Sequence, residues 1–485
     1  MQTNWKITMI FYSTIKTKYL PLTNYNMDYA GVSEVSTNTV AQTSQEQKDW
    51  LNLTPEMAEA FKLIEETNES LYITGKAGTG KTTFLKFIVK HTNKQLAVTA
   101  PTGIAAINAG GVTLHSLFGI PFGVQDPNAP MRGNMKQSKI ELFKRLDTLI
   151  IDEISMVRPD VLDYIDKKLR LYRMTNRPFG GVQIIMFGDL YQLPPVVKPD
   201  EKNILLQLYR GIYFFYAHVW LSEGFRMIEL THVFRQHDER FVEILNNIRS
   251  YKMFNRDIED LDKVRDRRES QNYNNNHVHI CALRRDVDKI NQEMLGTATH
   301  MFEAKVEGTF AQGSMPCDQI LYLRVGARVM MLTNDRGRQY YNGSLGVVTG
   351  ITDNDITIRL DTGITIVVEK FEWTSKEYEM KNGKVVEKET GKCIQFPISL
   401  AWAITIHKSQ GLTFDKIVIH TKYSFSPGML YVALSRCTSL EGIISETFID
   451  KRLIIPDNQL IAFDKACAAH NGKFNRETYR SMNLK

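Results

Sequence analysis

From residue 75 to residue 82 the chain reads Gly-Lys-Ala-Gly-Thr-Gly-Lys-Thr. Four residues separate Gly75 from Gly80, and a lysine and a hydroxyl follow at once. That pattern handles phosphate. Glycines at 75, 78 and 80 let backbone N–H groups converge on an anion, with Thr79 in the turn and Thr83 opening the next helix. Lys81 is the cation for β- and γ-phosphates, and the Thr82 hydroxyl is a hard oxygen ligand suited to Mg²⁺. Further along, Asp152 and Glu153 stand side by side at the end of an apolar run. Asp152 would hold the Mg²⁺ through water, and Glu153 would orient and deprotonate the attacking water. Gln192 sits where an amide could sense a γ-phosphate. Arg235, in Phe-Arg-Gln, and Arg436, in Leu-Ser-Arg, are candidate fingers for the charge of a phosphoryl group in transfer. Together these residues suit hydrolysis of ATP with Mg²⁺ as cofactor.

Such side chains must be held by regular elements. An apolar run, Leu71 to Thr74, predicts a strand feeding the glycine loop, and Thr83 to Lys90 predicts the helix after it. Further strands are expected at Leu96 to Thr99, at 146–151 and at Gln183 to Phe187. Each ends in small or polar residues, as at the carboxyl edge of a parallel sheet. Thr54 and Pro55 open a helix whose apolar face is Ala58, Phe61, Leu63 and Ile64. Residues 122–139 are rich in Pro, Gly and Asn and read as a surface insertion. Arg226 to Leu230 and His277 to Ala282 read as strands of a second α/β unit, with an amphipathic helix, Phe241 to Ile248, between them. From about residue 321 short β-runs alternate with turns: Ala327–Leu332, Leu345–Thr349, Ile356–Leu360 and Ile364–Glu369. This predicts a small, barrel-like all-β insertion, continued by an exposed hairpin around Asn382-Gly383. The α/β pattern returns at Ile398. Residues 1–48 lack periodicity and read as a disordered extension, and the last thirty residues show no usable pattern.

Composition narrows the class. With 485 residues, 43% hydrophobic and 24% charged, the chain is long enough for two or more globular domains. A net charge of +6 permits a nucleic-acid partner without demanding one. Five scattered cysteines form no C-x-x-C pair, which argues for reduced thiols in a cytosolic compartment and against a zinc site. No apolar run approaches the ~20 residues that span a bilayer. A cytoplasmic protein in a bacterial or phage-like setting, in contact with the nucleoid and with no membrane partner, is the expectation.

The segments GKAGTGKT, TAPTGIAA, TLHSLFG, IIDEISM, GDLYQLPPV, FRQ, TIHKSQGLTF and YVALSRC follow one another in the motif order of superfamily-one helicases. Across roughly residues 50–450 the chain resembles the petite-integration-frequency (PIF) and RecD-like family. Arg158 to Gln183 looks like the signature of the PIF subgroup. The resemblance implies an α/β fold of two RecA-like P-loop domains with a small wedge insertion and an SH3-like all-β insertion. Laid on this sequence it gives RecA-like domain 1 at 49–215, with the wedge about 120–140, and domain 2 at 216–310 and 397–455. The β insertion falls at 311–396, and a tail at 456–485. It implies DNA contacts from Pro101, Thr102, Gly103, Thr113 and His115 on one lobe, and from Thr405, His407, Lys408 and Ser409, with Gln410, on the other. Gly411 joins the nucleotide-binding set. A monomer moving 5′→3′ on single-stranded DNA is implied, with forked duplex, DNA–RNA hybrid and G-quadruplex as substrates. The family's adenine-recognition Gln is replaced here by Met57, with Gln45 or Gln47 as the nearest substitutes. Two rival readings are a P-loop ATPase uncoupled from DNA and a DNA-binding clamp that does not unwind.

Overall fold

The computed structural model describes residues 53–121, 123–131, 135–236, 238–265, 277–308, 315, 317–335, 339–340, 342–381, 384–420 and 426–482. The 1–48 extension, Gln45, Gln47 and the Asn382-Gly383 turn lie outside these residues.

The first lobe is built on six strands: β1 (Leu71–Gly75), β2 (Leu96–Ala100), β3 (Val112–Thr113), β4 (Thr148–Ile151), β5 (Gln183–Phe187) and β6 (Phe225–Leu230). A seventh, Lys473–Phe474, pairs antiparallel with β6. The order is Lys473–Phe474, β6, β1, β5, β4, β2, β3. β1, β4 and β5 are buried along their whole length, as expected of parallel strands covered on both faces. Pairing β1 between β5 and β6 puts the glycine loop at the centre of the carboxyl edge.

Two expected boundaries move. Arg226 to Leu230 reads in sequence as a strand of the second unit, yet the strand Phe225–Leu230 runs parallel to β1 from Leu71↔Arg226 to Gly75↔Leu230. The presumed tail is part of the same lobe. Helix Asn458–Ala469 and strand Lys473–Phe474 bring Phe463 and Phe474 into the core, where Phe463 stacks 4.3 Å from Phe215 and Phe474 stacks 4.9 Å from Phe225. A strand cannot show its partner in its own sequence, and four aromatic rings scattered over 250 residues of chain give no local signal. Of the 122–139 insertion, residues 123–131 lie against helix Pro159–Arg173, within the PIF-like stretch. Gln125 N–H donates to Asp160 Oδ2 at 2.8 Å, and Lys167 donates to the Pro127 carbonyl.

The second lobe is a four-stranded parallel sheet in the order Ala403–Thr405, Val278–Cys281, Ile417–His420, Ile443–Ser445. Helix Glu239–Arg249 buries Phe241, Ile244, Leu245 and Ile248 in its core. The β insertion contains the four expected strands to within two residues at either end, completed into a five-stranded antiparallel sheet by Ile398–Leu400. Arg328, fully buried, forks onto Asp361 beneath it. The insertion begins earlier than residue 311, because Ile320–Leu323 pairs with His300–Glu303. The long hairpin, Phe371–Lys381 with Lys384–Gln395, does not extend that sheet. It forms a separate three-stranded sheet with Lys305–Gly308 and leans on the first lobe's helix Gln137–Arg145.

Candidate nucleotide and nucleic-acid site

The glycine loop turns where its sequence requires. Gly78 and Gly80 have φ of 83° and 81°, a region that costs other residues energy. Space excludes side chains as well. A Cβ on Gly78 would meet the Arg235 Cβ at 2.6 Å, and one on Gly80 would meet the Met57 methyl at 3.3 Å. Helix Lys81–His91 starts immediately after the loop, so its N-terminal amides and positive dipole end face the space an anion would take. Lys81 Nζ donates to the loop's own carbonyls, Gly75 O at 2.5 Å and Lys76 O at 2.9 Å. Burial pulls the Lys81 ammonium below its usual range, against the charges of Asp189, Glu153 and Asp152 that support it.

Asp152 and Glu153 follow β4. Glu153 sits at φ 49°, a left-handed backbone that a non-glycine residue adopts only where the surroundings enforce it. Its N–H donates to Asp152 Oδ1 at 2.9 Å, fixing the two carboxylates relative to each other. Burial pushes the Asp152 carboxyl up to about 6, and burial followed by the neighbouring Asp152 charge pushes Glu153 up to about 7. Lys81 and Arg436 oppose the Glu153 shift.

These groups share one cleft of about 1180 Å³ between the lobes. Its first-lobe wall carries Gly78, Thr79, Gly80, Lys81, Thr82 and Thr83, with Asp152, Glu153 and Gln192 beside them. Its second-lobe wall carries His407, Lys408, Gln410, Gly411 and Arg436. Thr102 opens onto the same space. Gly75 lies one step behind, at the end of β1. Arg436 is buried and held by Val432 O at 2.9 Å, Ser409 O at 3.2 Å and Ser435 Oγ at 2.7 Å. Burial, with the Arg235 charge next, draws its guanidinium down to about 9. Arg235 stands on the connection leaving β6, next to the loop: Phe234 N–H donates to Gly78 O at 2.8 Å, and Arg235 Nη1 reaches Ser435 O at 3.4 Å. It joins the two lobes rather than arriving from the far one.

The residues assigned to DNA divide. Pro101 and Thr102 follow β2, and the Thr102 hydroxyl accepts from Ala105 N–H at 3.3 Å to cap the helix that Gly103 opens. Thr113 caps Leu114–Phe118 through Ser116 N–H at 3.2 Å. His115 is half-buried, and burial followed by the Arg158 charge lowers its pKa. Thr405 Oγ1 accepts from Lys408 N–H at 3.1 Å, which aims the turn carrying His407 and the exposed Lys408 into the cleft. Ser409 is a correction. It is fully buried and donates to Ile406 O at 2.8 Å, so its hydroxyl holds the turn and offers nothing to a ligand.

Three further contacts at the site join motif residues to partners that the sequence analysis assigned no role. The Tyr431 hydroxyl, on second-lobe helix Met429–Leu434, accepts the loop's Ala77 N–H at 2.8 Å. Arg249 forks onto the buried Asp189 at 3.1–3.3 Å and lies over the Tyr191 ring, 4.5 Å from its centre. Gly428 touches the Gln192 carbonyl so closely that a Cβ would lie 2.0 Å from it. Tyr431, Asp189, Tyr191 and Gln192 stand inside the segments YVALSR and GDLYQ, whereas nothing in the sequence marks Arg249 or Gly428 as their partners.

A glycine loop, a carboxylate pair and a buried arginine facing one interlobe cleft define a two-lobed P-loop nucleotide hydrolase. Residues 44–268 match the PIF1-like helicase family, and residues 400–440 match the UvrD-like helicase C-terminal domain. The chain belongs to the PIF1-like helicases, which are ATP-dependent DNA helicases. It is 30% identical to the Pif1 helicase of Bdellovibrio bacteriovorus over 429 residues, covering 86% of this chain and 92% of that one. With the Campylobacter jejuni Pif1 it shares 31% over 399 residues, 76% and 87% of the two chains. The crystal structure of a Bacteroides Pif1 with ADP-AlF4 is 51% identical, with a TM-score of 0.82 over 87% of this chain and 98% of that one. The same Bacteroides protein bound to single-stranded DNA superposes with a TM-score of 0.67 at 50% identity, over the same shares of the two chains.

Proposed function

We propose that the chain couples ATP hydrolysis in this cleft to 5′→3′ movement along single-stranded DNA, with unwinding of forked duplex ahead of it. One observation supports the coupling above others: the hydrolytic residues and the DNA-motif residues Thr102, His407 and Lys408 open onto the same interlobe space. Lys81 leaves the loop carbonyls to meet the β- and γ-phosphates. Thr82 and Asp152 are the oxygen donors for Mg²⁺, whose chemistry when bound is to neutralise phosphate charge. Glu153 takes the proton of the water that attacks the γ-phosphorus, and Gln192 holds that water or the phosphate beside it. Arg235 and Arg436 then stabilise the charge passing to the leaving ADP. Closing the lobes on nucleotide and releasing them afterwards changes which lobe grips the strand. Thr102, Thr113, His115, Thr405, His407 and Lys408 contribute to that grip without reading bases.

The 5′→3′ direction, and activity on G-quadruplex or DNA–RNA hybrid, are supported by the motif resemblance alone. Forked DNA has the added support that a Bacteroides Pif1 structure is described as two coordinating helicases at a fork. Where Met57 replaces a glutamine, it packs on the loop, so adenine selectivity is expected to be weak. The test is ATP and GTP turnover with and without oligo-dT, in the wild type and Lys81→Ala, followed by unwinding of 5′- and 3′-tailed duplexes. Strand-stimulated turnover that Lys81→Ala abolishes, with unwinding of the 5′-tailed substrate, is expected. Turnover indifferent to DNA overturns the coupling, and unwinding from the 3′ tail overturns the direction.

A further inference from the structure

Three adjacent strands of the second lobe bring two histidines and a carboxylate to one place. Register pairs Val418 with His279 and His420 with Cys281, so His279 and His420 project from the same face of neighbouring strands. Ile419 pairs with Ser445, which sets Glu446 beside His420 on that face. His279 Nδ1 lies 2.8 Å from His420 Nε2, and His420 Nδ1 lies 2.7 Å from Glu446 Oε2. One ligand atom from each residue falls within 4.8 Å of the other two. None of the three lines the interlobe cleft.

We propose that His279 Nδ1 and His420 Nε2, with Glu446 backing His420 through Nδ1, form a binding site for one divalent transition ion of the zinc class, with solvent in the remaining positions. The donors decide the class. Two imidazole nitrogens, one of them backed by a carboxylate, suit Zn²⁺ or Co²⁺, whereas Mg²⁺ and Ca²⁺ favour all-oxygen sets. This ion therefore differs in kind from the Mg²⁺ expected at Thr82 and Asp152. The two facing nitrogens share a single proton in the hydrogen-bonded arrangement. An ion about 2.0–2.1 Å from each needs them only roughly half an ångström further apart, and its entry requires the ring that carries the shared proton to hold it on its other nitrogen instead, so that both facing nitrogens offer a lone pair. Glu446 fixes the His420 ring and supplies compensating charge. Because His279 and His420 come from neighbouring strands, the ion ties those two strands together, with Glu446, one residue past Ile443–Ser445, bracing His420 from the next.

The full chain, stripped with a chelator and free of Mg²⁺ and nucleotide, is titrated with Co²⁺ while visible absorption is read. One saturable equivalent without a thiolate charge-transfer band is expected, displaced by Zn²⁺ and unchanged in Lys81→Ala. His420→Ala should abolish it, and Glu446→Gln should weaken it at least roughly tenfold. Zn²⁺ should raise the melting temperature of the wild type but not of His420→Ala. If circular dichroism shows His420→Ala unfolded, the near-isosteric Glu446→Gln decides alone. Absence of a saturable spectrum, a thiolate band, or equal binding by wild type and Glu446→Gln overturns the proposal and leaves a hydrogen-bonded Glu–His–His relay.

Discussion

Changing Glu153 to Gln separates two consequences of the same carboxylate. In the folded protein its pKa stands at about 7 against an ordinary 4.5, so the folded state holds the proton more tightly than the unfolded chain does. Stability from this group is therefore fullest below pH 4.5, falls as pH rises towards 7, and reaches its full penalty above that. For a fully enclosed group the move from 4.5 to about 7 corresponds to about 3 kcal/mol, at 1.36 kcal/mol for each tenfold change. Glu153 opens partly on the cleft, and solvent screening there brings the figure to about 1–2 kcal/mol. Gln carries no charge at either pH. Glu153→Gln is thus expected to raise the melting temperature of the nucleotide-free protein by a few degrees at pH 8 and by almost nothing at pH 5. Its ATP hydrolysis should fall roughly 10²–10⁴-fold, because no base remains to take the water's proton. Differential scanning calorimetry at the two pH values, beside a phosphate-release assay, reads both effects. An equal gain at pH 5 and pH 8, or a loss at pH 8, would falsify the reasoning, since the effect would then come from shape and not from charge.

Three other substitutions test contacts between segments far apart in the chain. Arg249→Met leaves Asp189 charged and buried without its partner, and chemical denaturation should show a loss of about 3–5 kcal/mol. Tyr431→Phe removes the acceptor for Ala77 N–H, and the KM for ATP should rise roughly 2- to 10-fold with circular dichroism unchanged; an unaltered KM refutes a role in shaping the loop. Phe474→Ala, in the segment with no readable pattern, should cost about 3–5 kcal/mol as a core ring is lost, and a melting temperature equal to wild type would mean the C-terminal strand does not stabilise the lobe.

The readable parts of this chain are those in which chemistry fixes spacing. A loop that must fold round a phosphate needs glycine at set intervals, and Gly78 and Gly80 do adopt the backbone that only glycine takes without cost. Strands buried on both faces, such as Gln183–Phe187, announce themselves as unbroken apolar runs. The antiparallel insertion was legible for a related reason, since turns punctuate alternating residues there. What escaped were relations between distant segments. Phe225–Leu230 buries Phe225, Ile228 and Leu230 and leaves the rest partly or fully exposed, and it looks alike whichever lobe claims it. Ser409 reads as a polar ligand in TIHKSQG, yet its hydroxyl is used inside its own turn. Arg249 and Tyr431 sit on ordinary helices, and only the meeting of the two lobes gives them a task.

The strand Lys473–Phe474 has a bearing on how the molecule is made. It completes the sheet that begins with Leu71, so the first lobe's two ends enclose the whole second lobe in sequence. On a ribosome the early part of that lobe emerges with β6 as an open edge. At about 5–20 residues per second, the 242 residues between Leu230 and Lys473 take roughly 12–50 s to appear. During that interval the Phe225–Leu230 strand presents unpaired backbone and an uncovered aromatic surface to its neighbours. A nascent chain stalled late in the second lobe would hold every hydrolytic residue named above and still lack a closed first lobe. A chain cut before Asn458 lacks the Phe463 and Phe474 rings that cover Phe215 and Phe225, and holdase chaperones should be found on it far more than on the full 485 residues.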